Sequence, residues 1–528
     1  MQAKYISYQE TNAFSSIVLD YISKNGKLSQ FYKYEPDFSG FEKAITSRNF
    51  KADRAVLVNT LQKQYSTIQV SSSVKANIEL LADKKTFTIT TGHQLNIFTG
   101  PLYFIYKIVT AINLARDLKQ QFPDYNFVPV YWMATEDHDF EEINHVKVED
   151  KMITWNKNAA GATGRLDTTD IAEALATYKG YLGISENGIR FSKTVDKAYT
   201  SNRKLSDATR ELVDALFGKY GLVCVDADDH ALKSQFSEII YKDITEENSF
   251  KLISKASTEL ETLGYKAQVN PREINFFYMI DGLRERIIEE NGSYKVMNSS
   301  IEFTKEELQQ EIDAYPENFS PNVVMRPVYQ EVILPNIAYI GGGAEVTYWL
   351  QLKANFDHYK IDFPVLMLRN SALLIDKRSE ARMEVLGISH RNLFSDTETL
   401  KNEWVKSHVN LQFSLDNEER SIRAIFDQIK LNAYKIDKSL SQSADAAKTK
   451  ALKLISTLEK KMLRAEKRKH VTSFSQIDNL KEKLFPSGVL QERVLNIAPM
   501  VVLYGDDFID SLIAHFKPLD YQFTVLFA

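Results

Sequence analysis

The feature of this sequence that most constrains its fold is a long stretch, Ile388 through Phe485, that contains neither glycine nor proline. Because these two residues are the usual breaks between helices, their absence over such a length predicts long helices. Apolar residues in the stretch recur at alternating spacings of four and three, which is the heptad pattern of packed helices. The first run is Ile422, Phe426, Ile429, Ala433, Ile436 and Leu440, and the second is Ala444, Ala447, Ala451, Leu454 and Leu458. The polar sequence SLSQSAD interrupts the pattern between them, so we predict a two-helix antiparallel coiled coil.

The second half of this helical stretch, KTKALKLISTLEKKMLRAEKRKH, is strongly basic, although the whole chain carries a net charge of −5. Two interpretations are open. A solvated helix face is the more common origin of such a pattern, and we favour it. Alternatively, the arm binds a partner subunit, or a nucleic acid through its basic face.

The composition excludes several classes of protein. An acidic chain is a poor electrostatic match for nucleic acid or an anionic membrane, and no apolar run approaches the ~20 residues that span a bilayer. The single cysteine, Cys224, excludes a disulfide framework and a multi-cysteine zinc site, and its apolar neighbours indicate a buried structural thiol. The start of the chain lacks the apolar core of a signal peptide. We therefore expect a cytoplasmic protein that binds neither membrane nor nucleic acid and holds no structural zinc.

A βαβ unit is predicted between Thr86 and Val148. The β-branched TFTIT forms its first strand, a helix follows Pro101, and FVPVYWMA forms its second strand. Such units build doubly wound sheets, so the predicted fold class is α/β.

The length of 528 residues allows roughly three domain-sized units. We predict a core over residues 1–387 with insertions at about 149–200 and 265–345. A helical coiled-coil domain follows over 388–485, and the segment 486–528 returns to the core.

The turn after the first predicted strand, Gly92-His93-Gln94, is followed by a second glycine, Gly100, ahead of the helix. Backbone N–H groups of such a bend and the helix N-terminus favour an anion. There His93 would donate a hydrogen bond to a phosphate, and Gln94 would offer both a donor and an acceptor. The alternative is structural: Gly92 permits the bend and His93 bonds a neighbouring carbonyl group. Spacing alone favours this alternative.

Carboxylates cluster at the end of the second strand, in ATEDHDFEEINH. Ligands of open α/β sheets bind beyond the carboxyl ends of the strands, so this cluster and the histidine turn are expected at one edge. Asp137, His138 and Asp139 would hold magnesium, an amino group or a ribose hydroxyl there, and acids at a solvated strand end are the alternative. A transition-metal site from His138, Glu142 and His145 matches no standard spacing, so no metal ligands are predicted.

A third candidate site lies in NVVMRPVYQEVILPNIAYIGGGAEVTYW. The glycine run Gly341–Gly343 permits a ligand to approach the backbone closely, and Glu345 follows it. A flexible loop is the alternative, since a bare glycine run is more often that. Polar residues near this run or near other strand ends, and therefore further candidates for anion binding, are Arg326, Gln330, Arg272 and the segment Arg369-Asn370-Ser371.

Several long motifs of the chain resemble the bacillithiol-synthesis cysteine ligase family, BshC. They are TTGHQLNIFTGPLYFIYK, VPVYWMATEDHDFEEINHV, SPNVVMRPVYQEVILPNIAYIGGGAEVTYWLQLK and LFPSGVLQERVLN. The likeness runs from about residue 80 to the C-terminus and includes the glycine-free helical region.

The resemblance implies a Rossmann-like, doubly wound core related to class I aminoacyl-tRNA synthetases and nucleotidyltransferases, with inserted connecting subdomains and a coiled-coil domain that forms a homodimer. The implied reaction is the last step of bacillithiol synthesis. Cysteine, activated by ATP with magnesium, is joined through an amide to the amino group of glucosaminyl-malate. The alternative is a nucleotide-binding scaffold whose basic coiled coil docks RNA or a protein, without catalysis.

The motifs and the resemblance together assign the site residues. In such folds the turn after the first core strand stabilises charge on the ATP phosphates with two histidines. The resemblance places Thr91-Gly92-His93-Gln94 at this turn, where only one of the two histidines is present and Gln94 is the candidate substitute for the other. The expected catalytic residues are His93, Gln94, Asp137 and Asp139. The expected nucleotide-binding residues are Thr91, Gly92, Gly100, Gly341, Gly342, Gly343, Ser371 and Lys377. The expected substrate-binding residues are His138, Asn144, Arg326, Gln330 and Glu345.

Overall fold

The computed structural model describes residues 1–408 and 415–528. Residues 409–414, which belong to the predicted helical stretch, lie outside the described residues. The described strands are β1 (Gln2–Ser7), β2 (Thr86–His93), β3 (Asn126–Met133), β4 (His145–Val148), β5 (Lys151–Thr154), β6 (Val223–Asp226), β7 (Phe276–Ile280), β8 (Leu283–Glu290), β9 (Ser293–Val296), β10 (Glu302–Phe303), β11 (Phe319–Pro321), β12 (Asn336–Gly341), β13 (Val365–Leu368), β14 (Ala372–Ile375) and β15 (Gln522–Phe527).

Helices make up most of the remaining structure, and no helix of the described ranges is long and apolar enough to cross a membrane. They are α1 (Ser16–Ile22), α2 (Phe38–Ser47), α3 (Arg54–Gln64), α4 (Ser72–Leu80), α5 (Leu102–Gln121), α6 (Phe140–Ile143), α7 (Ala172–Leu182), α8 (Glu186–Ser201), α9 (Leu205–Phe217), α10 (His230–Ser234), α11 (Ser237–Glu246), α12 (Asn248–Thr262), α13 (Lys305–Ala314), α14 (Arg326–Ile333), α15 (Gly343–Leu350), α16 (Lys353–Tyr359), α17 (Lys377–Leu386), α18 (Thr397–His408), α19 (Asp416–Ile436), α20 (Leu440–Lys467), α21 (Val471–Leu484), α22 (Ala498–Tyr504) and α23 (Asp507–His515).

Five parallel strands form the central sheet, in the spatial order β13-β12-β2-β3-β6. The chain enters at β2 in the middle, adds β3 and β6 on one side, and then returns to add β12 and β13 on the other. This reversal between β2 and β12 is that of a doubly wound, Rossmann-like sheet, so the predicted fold class is confirmed. These strands are buried almost throughout, as expected of a parallel sheet covered on both faces.

Buried hydroxyl groups fix β2 against β12. Thr88 and Thr90 both donate to Oδ1 of Asn336, at 3.1 and 2.8 Å. Thr91 donates to the carbonyl oxygen of Ile340 at 2.9 Å. Because each hydroxyl would be costly to bury unpaired, these bonds specify the register of the two strands that border the reversal.

A second, antiparallel sheet of order β10-β9-β8-β7-β11 follows the central strand β6 in the chain and lies inside the predicted insertion 265–345. The core strand β12 falls in the same predicted range. We therefore propose that the insertion ends with β11 and not at residue 345. The other predicted insertion, 149–200, contains β5, α7 and most of α8.

The third sheet brings the two ends of the chain together. Strand β15 pairs in parallel with β14 and antiparallel with β1. Residues 486–528 thus contact the end of the region 1–387, although the division at these residues stays a proposal.

Helices α19 and α20 form the predicted hairpin. Ion pairs of 2.6 Å cross it between Lys430 and Asp445 and between Lys448 and Asp427. The sequence pattern placed the break at SLSQSAD, but the turn lies earlier, because the carboxylate of Asp437 accepts the backbone N–H of Ser439 at 2.7 Å. Several heptad side chains stay largely exposed, with Ile429 at 45%, Ile436 at 81%, Leu454 at 71% and Leu458 at 49%.

Candidate active site

The reversal of strand order leaves a crevice between the carboxyl ends of β2 and β12, which is where open α/β sheets bind ligands. Strand β2 ends at His93, and β12 ends at Gly341, just before α15. A Cβ atom built at Gly92 would lie 3.4 Å from the hydroxyl of Tyr339 on β12. The histidine turn and the glycine run, which the sequence presented as two candidate sites, therefore border one crevice.

Steric crowding explains why the glycine run at the end of β12 begins with glycine. A Cβ atom at Gly341 would lie 2.9 Å from Cβ of Glu345, too close for any other residue without a shift. The N–H of Gly342 donates to Oε2 of Glu345 at 2.9 Å. The run is thus an ordered start of α15 that holds an acidic side chain across the strand end, and not a flexible loop.

A buried lysine that the sequence analysis did not select pairs with this acid. Lys107 on α5 is 4% exposed, and its ammonium group lies 2.5 Å from Oε2 of Glu345 and donates to the carbonyl of Gly92 at 2.9 Å. Tyr339 donates to the other carboxylate oxygen at 2.7 Å. Burial opposes ionisation of Glu345, but Lys107 holds its pKa below the usual value. The available signal was a single lysine within the apolar run FIYKIV.

Arg326, one of the predicted substrate-binding residues, faces the same crevice. Its guanidinium lies 5.5 Å from the ring centres of Trp132 on β3 and Tyr339 on β12, within the range of cation–π attraction. Nη1 donates to Oε1 of Gln330 at 2.9 Å. Nη2 is buried and has no hydrogen-bond partner among the described residues.

Arg369 approaches from the end of β13 and is only 5% exposed. Its Nη2 pairs with Oε1 of Glu492 at 2.6 Å, and its Nη1 donates to the hydroxyl of Ser371 at 2.9 Å. The guanidinium lies 5.6 Å from the ring centre of Tyr103. Nε is buried, lacks a partner within the described ranges, and lies 3.6 Å from the position of a Cβ atom at Gly342.

The ring of His93 lies against the first turn of α5. Its centroid is 5.0 Å from that of Phe104, with the rings stacked, and 5.2 Å from that of Tyr103. Burial and the nearby cations Lys107 and Arg369 hold the pKa of His93 well below its ordinary value. The imidazole is therefore neutral at physiological pH. Its Nε2 is buried and has no partner in the part of the chain that is described.

Three buried side-chain nitrogens with unused hydrogen-bonding capacity thus surround the crevice: His93 Nε2, Arg326 Nη2 and Arg369 Nε. Buried polar atoms without partners are rare in native proteins, since each forfeits its interaction with water. Two permanent cations and a neutral imidazole beside a helix N-terminus suit an anion. The structural alternative for His93, a bond to a neighbouring carbonyl, would use a nitrogen other than Nε2.

Gln94 and the acids of the following strand bond mainly to each other. Nε2 of Gln94 donates to carboxylate oxygens of Asp137 and Glu142, both at 2.7 Å. The other oxygen of Asp137 accepts the backbone N–H groups of His138 and Asp139, at 2.8 and 3.3 Å. Both oxygens of Asp137 therefore already hold the loop together.

The neighbouring predicted residues make local contacts. The carboxylate of Asp139 accepts the N–H of Glu142 at 3.3 Å and so caps α6. Nδ1 of His138 lies 2.6 Å from Nη1 of Arg284, and burial together with this cation lowers the pKa of His138. The amide oxygen of Asn144 contacts the ring of His145 at 3.0 Å.

The remaining predicted nucleotide-binding residues are dispersed. Gly100 adopts φ +60°, and a Cβ atom there would lie 2.6 Å from that of Asn96, so glycine is required for the loop itself. Ser371 is fully buried and donates to Glu492 at 3.2 Å. Lys377 is exposed at the start of α17. Ser371 therefore contacts the crevice residue Arg369, whereas no hydrogen bond or ion pair joins Lys377 to the crevice residues in the described part of the chain.

A cavity of about 480 Å³ opens between the end of β3 and the antiparallel sheet. Its lining includes four arginines, Arg272, Arg284, Arg286 and Arg326, and two carboxylates, Glu136 and Asp137. Arg272 and Arg286 form no ion pair within the described residues. Arg326 belongs both to this cavity and to the crevice, so the two spaces are adjacent and the cavity favours an acidic ligand.

Cys224 and metal ligation offer no further site. Burial raises the pKa of the Cys224 thiol to about 12, which makes it unreactive, as the sequence predicted. Within residues 1–408 and 415–528, no group of three or more His, Cys, Asp or Glu side chains is arranged to hold a metal ion.

Comparison with known proteins gives two family matches that together cover almost the whole chain. Residues 1–370 match the model of the "Bacillithiol biosynthesis BshC, N-terminal Rossmann-like domain", and residues 372–528 match that of the "Bacillithiol biosynthesis BshC, C-terminal coiled-coil domain".

Relatives carrying the name "Putative cysteine ligase BshC" align along the full chain. One from Flavobacterium psychrophilum is 44% identical and covers 100% of this chain and 99% of its own. One from Flavobacterium johnsoniae is 43% identical and covers 100% of both chains. One from Salinibacter ruber is 30% identical, over 95% of this chain and 94% of its own.

Proposed function

This chain belongs to the bacillithiol biosynthesis BshC family, and from that premise we propose that it is a cysteine ligase. It forms an amide between the carboxyl group of L-cysteine and the amino group of glucosaminyl-malate, with bacillithiol as the product. ATP, accompanied by magnesium, activates the cysteine carboxyl group. The reaction takes place in the cytoplasm.

The observation that carries this proposal is the set of unpartnered nitrogens on His93, Arg326 and Arg369 around the glycine edge. Their donor chemistry fits the phosphates of ATP, because arginine guanidinium groups match phosphate oxygens in charge and geometry. The backbone at Gly92 and at Gly341–Gly343 allows such a group to approach closely. The chemistry that ATP supplies is a phosphate-bearing leaving group on the cysteine carboxyl.

In this proposal each polar residue of the crevice has a distinct task. Arg326 and Arg369 hold phosphate charge, and His93 donates to the charge that develops as ATP is cleaved. Lys107 and Glu345 neutralise each other and keep the two strand ends aligned. Gln94, Asp137 and Asp139 hold the loop that closes one side of the crevice. Thr91, Ser371 and Lys377 remain candidates for nucleotide contact.

The acceptor substrate suits the arginine-lined cavity beside the crevice. Glucosaminyl-malate carries two carboxylates, and Arg272 and Arg286 are the cavity cations whose side chains have neither an ion pair nor a hydrogen bond among the described residues. Arg284 is held by Ser320 and His138, at 3.0 and 2.6 Å, so its position is fixed before a ligand arrives. Carboxylates held by these arginines leave the amino group of the sugar free to point toward the crevice.

The test of the function is a metabolite profile of cells that lack the gene for this chain. The proposal predicts accumulated glucosaminyl-malate and no bacillithiol, with both levels restored when the gene returns. An unchanged thiol pool would eliminate the ligase and favour a binding role for the basic hairpin.

We further propose that the hairpin α19–α20 forms a homodimer. Deleting residues 416–470 is expected to give a monomer by light scattering, because exposed heptad side chains such as Ile436 and Leu454 need a partner surface. Leu454→Glu should weaken the dimer without a deletion. The neighbouring exposed change Lys453→Ala serves as the matched control and should leave the dimer intact. A deletion variant that stays dimeric would place the interface elsewhere.

A further inference from the structure

Glu136 is an acidic residue that neither the sequence motifs nor the proposed function has used. It follows β3 and lines the arginine-rich cavity. One carboxylate oxygen, Oε1, accepts from the ammonium group of Lys233 at 2.6 Å. The other, Oε2, is buried and has no hydrogen-bond partner among the described residues.

The carboxylate is held in a fixed position. Lys233 on α10 is fully buried, and its ammonium group also donates to the carbonyl of Phe319 at 3.2 Å and lies 4.7 Å from the ring centre of Tyr329. Oε2 is therefore a fixed hydrogen-bond acceptor at the wall of the cavity, and a polar hydrogen from a ligand or from solvent would satisfy it.

Asp137, the neighbouring carboxylate in the cavity, has no such unpartnered oxygen. Its two oxygens already accept from Gln94 and from two backbone N–H groups. The other charged groups facing Glu136 are Lys233 from α10 and Arg284 from β8, with the phenol of Tyr329 from α14. The lysine and arginine side chains offer only donors, and the Tyr329 hydroxyl donates to the carbonyl oxygen of Ala227 at 2.8 Å. Among the cavity residues, Glu136 alone combines a negative charge with an unused oxygen.

We propose that Glu136 is the general base that receives the proton of the attacking amino group. This assignment rests on the proposed ligase function and deepens it. The amine lone pair forms the C–N bond to the activated carboxyl carbon of cysteine. The C–O bond to the phosphate-type leaving group breaks, and its electrons depart with that group. The N–H proton passes to Oε2 of Glu136, which then returns it to solvent.

The cavity is complementary to such an acceptor molecule. Arginine side chains offer positive charge for two carboxylates, and a single carboxylate oxygen offers negative charge for one amino group. A ligand that carries both kinds of group enters in one orientation only, with its amine at Glu136. The same oxygen therefore helps to select and orient the acceptor before the bond forms.

The test compares Glu136→Gln with the parent in amide formation from ATP, cysteine and glucosaminyl-malate across a range of pH. Loss of a general base typically costs about 10²-fold or more in rate. The deficit is expected at neutral pH and should shrink as pH rises, since hydroxide then replaces the lost base. Calorimetric titration with glucosaminyl-malate should also show weaker binding. A merely structural role would give a deficit that does not depend on pH.

Glu136→Gln leaves Lys233 buried without its charged partner and could therefore unfold the protein. The double variant Glu136→Gln with Lys233→Met removes both charges. It should fold and show the same pH-dependent loss of rate. Glu141→Gln, an exposed acid on the same segment, is the matched control and should behave as the parent. If the parent makes amide and Glu136→Gln follows it within twofold at every pH, the general-base assignment is wrong and the ligase stands. If the parent makes no amide, the proposed function fails, and this assignment fails with it.

Discussion

Replacing His93 with alanine is expected to lower the rate of ligation about 10²–10³-fold while the thermal unfolding curve stays nearly unchanged. His93 is neutral, and its buried Nε2 has no partner in the described structure. A neutral imidazole donates one hydrogen bond, and a donor aimed at developing charge stabilises the transition state by about 3–4 kcal/mol. Single-turnover rates and melting curves of the purified variant provide the measurement.

The matched control for this variant is His145→Ala, because the ring of His145 is exposed and its hydrogen-bond partners within the described structure are the neighbouring Glu141 and Asn144. It should retain the full rate. Loss of an ordinary structural hydrogen bond at His93 would instead cost about 1 kcal/mol of folding free energy and leave the rate intact. A His93→Ala protein that melts early and yet ligates normally per folded molecule would make this histidine a structural residue.

Breaking the buried pair of Arg369 and Glu492 should have the largest effect on stability. Glu492 is fully buried, and its carboxylate accepts from Arg369 at 2.6 Å and from the backbone N–H of Ala372 at 3.0 Å. Glu492→Ala leaves a buried guanidinium without its counter-charge, which typically costs about 3–5 kcal/mol. Denaturant unfolding measures this loss. The ligation rate should also fall, because Arg369 borders the crevice.

Two further variants test whether the loss of stability comes from the unpaired buried charge or from removal of any glutamate. Glu238→Ala removes one partner of an exposed ion pair with Lys242, and its unfolding should match that of the parent. The double variant Glu492→Ala with Arg369→Met removes both buried charges and should recover part of the lost stability, but not the rate. Equal unfolding of Glu492→Ala and the parent would refute the structural role of this pair.

The parts of the fold that follow from local pattern could be predicted from the sequence. The β-branched TFTIT and the apolar FVPVYWMA form adjacent parallel strands. Two short apolar segments joined by a helix usually pair in this way, because the helix then covers one face of the sheet. The glycine-free stretch became helical wherever it is described, apart from a short turn at Asn392–Phe394 and the connections between helices. Each of these two signals is contained in one continuous stretch of the chain.

The parts of the site that depend on distant residues could not be predicted in this way. Arg369 resembles an ordinary surface arginine in sequence, but Glu492, more than a hundred residues later, holds it inside the protein. In sequence, Lys107 interrupts an apolar helix, and only the structure shows that Glu345 on α15 pairs with it. The acids after β3 were the opposite case. Both oxygens of Asp137 and one oxygen of Asp139 accept hydrogen bonds within their own loop, and the ligand-binding role of these two residues stays a prediction.

Ligase activity is measured directly by incubating the purified full-length chain with ATP, isotopically labelled cysteine and glucosaminyl-malate and following the products by mass spectrometry. We expect labelled bacillithiol in an amount equal to the ATP consumed, and none when any one substrate is omitted. Arg326→Met should abolish this product without unfolding the protein, because Arg326 borders both the crevice and the cavity. Bacillithiol formed equally well by Arg326→Met, or no bacillithiol from the folded parent, would contradict the account.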